Sequence, residues 1–212
     1  MTKWKIVVDS GCDFYQLSDL AADTAFVSVP LTIQIGREVF LDQEGLDIDQ
    51  MMDLMYASGV AASSACPSPQ TFLQAYQGAE NVIVISLTGA LSGSHNAARL
   101  AGNMLQEQNP DVKFYLLDSL SAGGEIDLLV LKLNEWIAQG WSFEEVVKGL
   151  EDYKDSTKLL FVLSKIDNLV KNGRVSKLLG RVVGLLNIRM VGEASDEGKL
   201  ELLHKPRGTN VL

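Results

Sequence analysis

Three short apolar runs, at residues 4–8, 82–85 and 112–117, have the composition of strands buried on both faces of a sheet. Each run ends in a turn of small polar residues, and apolar residues at helical spacing follow each turn. This alternation is typical of βαβ units and predicts a doubly wound parallel sheet. Ligands of such sheets bind outside the carboxyl ends of the strands, so the polar turns are the first candidates for a binding site.

Two segments between these runs have a different pattern. Residues 26–35 alternate apolar with polar side chains and pass through a Gly-Arg-Glu turn into residues 39–41, which predicts a β-hairpin. Residues 48–56 carry apolar side chains at helical spacing after Asp47 and Asp49, and either aspartate can cap a helix. The chain therefore inserts a hairpin and a helix before the second apolar run.

Polar caps mark the starts of two further helices. Ser68 precedes Pro69, a pair typical of the N-cap and the first helical position. Ser142 stands three residues before Glu145, which is the spacing of a capping box. Helices are therefore predicted to begin at residues 69 and 143, in addition to a helix over residues 126–137.

A change of composition at residues 154–157 predicts a boundary between two domains, residues 1–156 and residues 157–212. Beyond the boundary the pattern predicts a strand at 159–163, a short helix at 165–171, a helix at 177–183, and strands at 185–191 and 200–204. The second domain is therefore expected to be a smaller α/β unit.

The stretch from residue 83 to residue 96 combines a strand, a serine-rich loop and a helix start. Gly89 and Gly93 let the backbone approach a ligand closely, and the helix predicted over residues 96–108 offers unpaired N–H groups at its N-terminus. Such a loop favours a phosphate or carboxylate. The alternative is an ordinary strand-to-helix turn in which Ser92 is the N-cap, and the pattern alone leaves both interpretations open.

Charge and composition exclude some partners. The 212 residues carry a formal charge of −9, whereas a nucleic-acid-binding surface is normally basic, so no nucleic-acid partner is expected. Two cysteines without ligand spacing indicate neither a disulfide framework nor a zinc site. The absence of a signal-like segment and of a long apolar stretch predicts a soluble, cytoplasmic protein.

Several enzyme classes lack their sequence motifs here. Neither a P-loop nor a dinucleotide-binding fingerprint is present, and two histidines do not make a histidine-rich metal site, so no cofactor or metal is expected. A Ser92, His95 and Asp118 hydrolase triad lacks the glycine two residues before the serine that a nucleophile elbow needs. His95 is instead expected to cap or orient the loop in the vicinity of the pocket, or simply to lie at the helix surface.

Five polar motifs occur along the chain in a fixed order. As a set they identify a protein family more specifically than any single motif does. They are Asp-Ser-Gly-Cys-Asp at 9–13, Ser-Ser-Ala-Cys-Pro-Ser-Pro at 63–69, Leu-Ser-Gly-Ser at 91–94, Asp-Ser-Leu-Ser at 118–121 and Asn-Gly-Arg-Val-Ser at 172–176. The set resembles the DegV family of bacterial fatty-acid-binding proteins over essentially the whole chain, and residues 186–189 and 205–208 also fit.

The resemblance implies a two-domain α/β fold, with an N-terminal parallel-sheet domain and a second α/β domain. It implies that a long-chain fatty acid is buried between the domains and that its carboxyl group is presented to a separate fatty acid kinase, as part of phospholipid metabolism. This makes the chain a non-catalytic lipid carrier, and a peripheral membrane contact stays open. The alternatives are an enzyme that uses the Ser92 and His95 loop, as a serine acyl hydrolase or a phosphotransferase on a small substrate, and a plain ligand-sensing or scaffold domain.

The family's carboxylate-binding positions map onto two serine loops. Ser64, a serine where the family usually has threonine, resembles the carboxylate-binding hydroxyl, and Ser63 stands beside it. Ser92, together with the backbone of Gly93 and Ser94, resembles the second carboxylate contact. Hydroxyl and N–H donors of this kind hold a carboxylate without a counter-charge.

Other positions are implied to surround the pocket. Arg174 resembles the arginine of the family's G-G-R-[IV]-S turn, near the head group or the kinase contact. Asp9, Ser10 and Ser119 are expected to shape the loops, although Asp9 also suits a turn that bonds nearby backbone.

The chain departs from the family pattern at two places. Asn172 replaces the first glycine of the arginine-containing turn. The family's late glycine-rich segment, with a histidine near the carboxyl group, has no counterpart in these residues, so the second domain is expected to be incomplete.

Overall fold

The computed structural model describes residues 2–175 and 190–204. In chain order its elements are β1 (Thr2–Asp9), β2 (Thr24–Val29), β3 (Thr32–Ile35), β4 (Glu38–Leu41), α1 (Ile48–Ala57), β5 (Ser63–Ala65), α2 (Pro69–Tyr76), β6 (Ala79–Ser86), α3 (Ser94–Gln108), β7 (Lys113–Asp118), α4 (Gly124–Ala138), α5 (Phe143–Lys154), β8 (Leu160–Leu163), α6 (Asp167–Lys171), β9 (Met190–Ala194) and β10 (Leu200–His204). Within this set, no helix is long and apolar enough to cross a membrane.

The predicted parallel sheet is confirmed. Its strands lie in the order β2-β1-β6-β7, and every neighbouring pair is parallel. Ile83 and Ile85 pack with α4 and α5 on one face, whereas Val82 and Val84 pack with α2 and α3 on the other. The central strands are apolar throughout because both of their faces are covered.

The hairpin prediction is only partly right, because residues 26–35 do not form one strand. Residues up to Val29 belong to β2, which pairs in parallel with β1. Pro30 has no N–H to continue a hydrogen-bonded ladder, and the chain leaves the sheet there. The true hairpin joins β3 and β4, which pair from Thr32 opposite Leu41 to Ile35 opposite Glu38.

A separate small sheet carries this hairpin. Its strand order is β4-β3-β5, and α1 packs on it around a core that includes Ile35, Met51 and Ala62. Asp47 is the N-cap of α1, and its Oδ1 accepts a hydrogen bond of 2.9 Å from the N–H of Gln50. The small sheet therefore forms an insertion with a core of its own between β2 and α2.

Two of the predicted helix starts are confirmed. Ser68 caps α2, with Pro69 at its first position. Ser142 and Glu145 form the capping box of α5.

The start of α3 differs from prediction. The helix begins at Ser94, two residues early, and its cap position is Gly93 without a side-chain bond. The interpretation of Ser92 as the N-cap is therefore wrong. Its hydroxyl instead accepts from the N–H of Ser94 at 3.1 Å, inside the loop.

The C-terminal part contains an antiparallel sheet, ordered β10-β9-β8, with α6 after its first strand. Met190, Ile166 and Val175 form the buried centre of this unit. The strands predicted at 159–163 and 200–204 and the short helix at 165–171 are confirmed. The helix predicted at 177–183 and most of the strand predicted at 185–191 lie outside the described residues.

Candidate functional site

A largely apolar cavity of about 290 Å³ lies between the small sheet, the loop after β6 and the segment around α6. Its lining residues are Ile33, Ala62, Ser63, Ser64, Leu87, Leu91, Asn168, Leu169, Asn172 and Arg174. The cavity thus combines five apolar side chains with two serines, two asparagines and one arginine. Three of the predicted site residues, Ser63, Ser64 and Arg174, are brought together here.

The two serines of the cavity lie on β5. Ser64 pairs with Ile33 of β3, and Ser63 pairs with Gln34. Both serines are exposed, and within the described part of the chain neither hydroxyl has a hydrogen-bond partner. These hydroxyls are therefore free to bond a polar group in the cavity.

The loop before α3 lies next to the β5 segment. A Cβ added at Gly93 would come within 3.0 Å of Cys66 Sγ, so glycine permits this close approach. Leu91 lines the cavity, whereas Ser92 and Gly93 follow it without being among the lining residues described. The first turn of α3 leaves N–H groups without intrahelical partners beside these residues.

Asp9 lies beneath this loop and holds it in place. The residue is only 1% exposed, and its carboxylate accepts from the N–H groups of Gly11 and Leu87, each at 3.0 Å. The hydroxyl of Ser94, which is also buried, donates to the same carboxylate. Burial raises the pKa of Asp9, and the negative charge of Asp118 raises it further, while the hydrogen bonds lower it; the net direction is upward.

The structure does not assemble Ser92, His95 and Asp118 into a catalytic relay. His95 Nδ1 lies 3.0 Å from the hydroxyl of Ser86. Both oxygens of Asp118 accept from the N–H of Gly89 at 3.2 Å. Since the Ser92 hydroxyl accepts from Ser94, the three groups bond to other partners instead of to one another.

Two more predicted residues stabilise turns. The hydroxyl of Ser10 accepts from the N–H of Leu31 at 3.0 Å, which fixes the chain after Pro30. The hydroxyl of Ser119 both donates to the carbonyl and accepts from the N–H of Ser121, each at 3.0 Å. Ser119 borders a different, polar cavity of about 420 Å³ and not the apolar one.

The segment around α6 forms one wall of the apolar cavity. Asn172 Nδ2 donates to the carbonyl of Ala62 at 2.8 Å, and Arg174 Nε donates to the carbonyl of Leu91 at 3.3 Å. Asn172 stands out in the sequence only as a departure from the family motif. Its partner is 110 residues away, so no local pattern predicts this contact.

The β9–β10 turn makes a second connection that the sequence did not reveal. Thr88, which is 1% exposed, donates from its hydroxyl to the carbonyl of Gly198 at 3.0 Å. Gly198 has a φ of +72°, and a Cβ at this position would collide with the threonine. The only sequence signal is the glycine in a polar turn.

No cluster of three or more histidine, cysteine, aspartate or glutamate residues that could hold a metal ion occurs in the ranges 2–175 and 190–204. The donors at the cavity are hydroxyl, amide and guanidinium groups. They suit an anionic or neutral oxygen ligand.

A parallel sheet with an apolar cavity next to the loop that follows a central strand defines a ligand-binding α/β protein. A family model described as an uncharacterised protein of the DegV family matches residues 3–211. The chain therefore belongs to the DegV family, as its five motifs indicated. A DegV domain-containing protein of Streptococcus pneumoniae is 62% identical over 206 residues, which cover 97% of this chain and 73% of that relative.

Solved structures agree with this assignment. The Streptococcus pneumoniae fatty acid kinase (Fak) B3 protein loaded with linoleic acid matches with a TM-score of 0.96 at 62% identity, covering 98% of this chain and 74% of that one. A DegV family protein from Eubacterium eligens loaded with heptadecanoic acid matches with a TM-score of 0.91 at 33% identity, covering 97% of this chain and 73% of that one. Both similar proteins hold a long-chain fatty acid.

Proposed function

We propose that this chain binds a long-chain fatty acid and presents its carboxyl group to a fatty acid kinase, which forms the acyl phosphate. The acyl chain occupies the apolar cavity, and the carboxylate bonds to the segments that contain Ser64 and Ser92. The observation that carries the proposal is the cavity itself, in which two serine hydroxyls without a partner in the described part of the chain lie beside apolar side chains. Similar proteins loaded with linoleic and heptadecanoic acid support it.

The energetics suit such a ligand. Burial of an acyl chain contributes about 0.8 kcal/mol per methylene group, so a long chain supplies on the order of 10 kcal/mol. A buried carboxylate would cancel much of this gain unless it were hydrogen-bonded. Hydroxyls of Ser63 and Ser64 and the N–H groups at the start of α3 supply such bonds without an ion pair that would have to be broken before phosphorylation.

We also propose that the cavity lies between two domains, residues 1–156 and residues 157–212. The small sheet and the loop after β6 belong to the first, and the segment from Asn168 to Arg174 belongs to the second. Arg174, whose guanidinium already donates to the carbonyls of Leu91 and Asn172, then lies at the kinase contact and not in an ion pair with the carboxylate. The carrier would work in the cytoplasm, in keeping with two cysteines that are both free.

The test begins with lipid extraction and mass spectrometry of the purified chain. A fatty acid at about one molecule per protein is expected. The Ser64→Ala variant should bind fatty acid about tenfold more weakly, since a hydrogen bond to a charged group contributes about 1.5 kcal/mol or more. Ser18→Ala, at an exposed serine that is not among the lining residues, is the matched control and should bind normally.

Two outcomes would contradict the proposal. A protein that carries no lipid and does not take up added fatty acid would remove the carrier function. Unchanged affinity in Ser64→Ala and in the corresponding Ser92→Ala variant would mean that the carboxyl group binds elsewhere. Addition of a purified fatty acid kinase and ATP then tests presentation, with acyl phosphate as the expected product.

A further inference from the structure

We propose that Asn172 is a positioning residue that sets how fast an acyl chain enters and leaves the cavity. The inference rests on the proposed fatty-acid binding and concerns one wall of the same cavity. The side-chain amide of Asn172 hydrogen-bonds to main-chain carbonyls of the cavity wall, so we expect it to act by holding that wall in place.

The amide of Asn172 joins the two sides of the cavity. Its Nδ2 donates to the carbonyl of Ala62 at 2.8 Å and to the carbonyl of Asn168 at 2.8 Å. Ala62 directly precedes Ser63 and Ser64, whereas Asn168 lies on α6, and all of these residues line the cavity. One side chain thus ties the wall formed by α6 to the segment that carries the candidate carboxylate-binding serines.

Among the described residues, the other side-chain bonds that cross this cavity are longer. Arg174 donates from Nε to the carbonyl of Leu91 at 3.3 Å, and from Nη1 to the carbonyl of Asn172 at 3.1 Å. Asn168 Nδ2 reaches Met55 Sδ at 3.4 Å, and a thioether is a weak acceptor. The bond from Asn172 to Ala62 is therefore the shortest of these direct ties across the cavity.

The α6 wall is also the one more easily displaced. Helix α6 has five residues and no side-chain cap, whereas the opposite wall includes strands paired within the small sheet. Short helices and segments with few buried contacts open at low free energy. Opening the cavity at α6 requires the bond from Asn172 to Ala62 to break.

This arrangement predicts a kinetic signature. The bond joins two protein groups, so its loss favours opening equally for an empty and a filled cavity. Entry and release should accelerate by the same factor, about three- to tenfold for one lost hydrogen bond, while Kd stays within about twofold. A residue that merely shaped the cavity would change Kd instead.

The experiment measures binding and release of cis-parinaric acid, a fluorescent fatty acid, by stopped flow. Asn172→Gly and Asn172→Ala both remove the amide without adding a charge to the cavity wall. The backbone at Asn172, with φ −88° and ψ 4°, accepts both residues without strain. Asn103→Ala, on the exposed face of α3, is the matched control for the loss of an asparagine amide.

Parallel acceleration of both rates in both variants, measured where urea denaturation shows each variant to be fully folded, would support the inference. Unchanged rates would overturn it, and so would faster release with an unchanged entry rate, because Asn172 would then shape the bound state. If the wild-type chain binds no parinaric acid, the proposed function fails first and this inference falls with it.

Discussion

Two groups of serines in this protein have similar sequence contexts but different surroundings. Ser63 and Ser64 are exposed beside the apolar cavity, and their hydroxyls have no partner in the described chain. Ser94 and Ser119 are buried, and their hydroxyls bond to Asp9 and to the Ser121 backbone. A serine-rich segment can therefore offer hydroxyl donors to a ligand only where packing leaves those hydroxyls unbonded.

The topology of the parallel sheet explains why Ser94 and Ser119 are buried and hydrogen-bonded. Parallel strands bring Asp9, Leu87 and Asp118 to the same edge, where each strand end leaves N–H groups that need acceptors. The two aspartates accept from these N–H groups, and the buried serines complete the network. The unbonded pair belongs to the inserted small sheet, outside this network.

The largest effect is expected from Asp9→Ala. The substitution leaves the part-buried N–H groups of Gly11 and Leu87 and the buried Ser94 hydroxyl without their acceptor. We expect a loss of about 3 kcal/mol in the free energy of unfolding, measured by urea denaturation. Asp19→Ala, at an exposed site, is the control. A loss below about 1 kcal/mol would show that Asp9 does not hold the loop.

Ser94→Ala should cost less, about 2 kcal/mol of unfolding free energy. It removes one donor from the Asp9 carboxylate and leaves the Leu87 N–H bond in place. The same urea experiment measures it. If Ser94→Ala proved as stable as the wild type, the distinction between stabilising buried serines and non-stabilising exposed serines would be wrong.

A smaller effect concerns pH. Since burial raises the pKa of Asp9 in the folded state, the folded protein holds more protons than the unfolded chain between the ordinary value near 3.8 and the raised value. The contribution of Asp9 to stability is therefore greatest at low pH and declines as the pH rises through that window. Asp9→Asn lacks this titration, so the unfolding free energy of the wild type should fall relative to that of Asp9→Asn as the pH rises. Urea denaturation at a series of pH values measures this difference, and a constant or rising difference would contradict the assignment.

The smallest effect on stability is expected at the unbonded group. Ser64→Ala removes an exposed hydroxyl, so the unfolding free energy should stay within about 0.5 kcal/mol of the wild type, although fatty-acid affinity falls. Urea denaturation with and without added fatty acid separates the two quantities. A loss of about 2 kcal/mol of unfolding free energy without fatty acid would show that the Ser64 hydroxyl stabilises the fold, as the hydroxyls of Ser94 and Ser119 do.

The sequence was sufficient for the parts of the fold that have strong local patterns. The runs that became β1, β6 and β7 are apolar because both faces of the sheet are covered, and the capping box at Ser142 is a local hydrogen-bond pattern. The split at Pro30 was missed because alternation continues across the proline, although β2 and β3 belong to different sheets.

The candidate site was less accessible from sequence. The family motifs identified Ser64 and Arg174, and the structure places both at one cavity. Their roles toward a fatty acid stay predictions. The contacts from Asn172 to Ala62 and from Thr88 to Gly198 join residues 110 positions apart, and a single sequence has no signal for pairs at that distance.

Among the described residues, the strands of the small sheet pair only with one another, and α1 completes the core of this unit. This unit begins after β2 and ends before α2. None of its strands pairs with the parallel sheet, so the pairing of that sheet does not depend on the length or composition of the unit. We therefore expect that this unit can be replaced without loss of the parallel sheet. A replacement would alter the cavity wall around Ile33 and Ser64, and on the proposed function it would change which acyl chain fits.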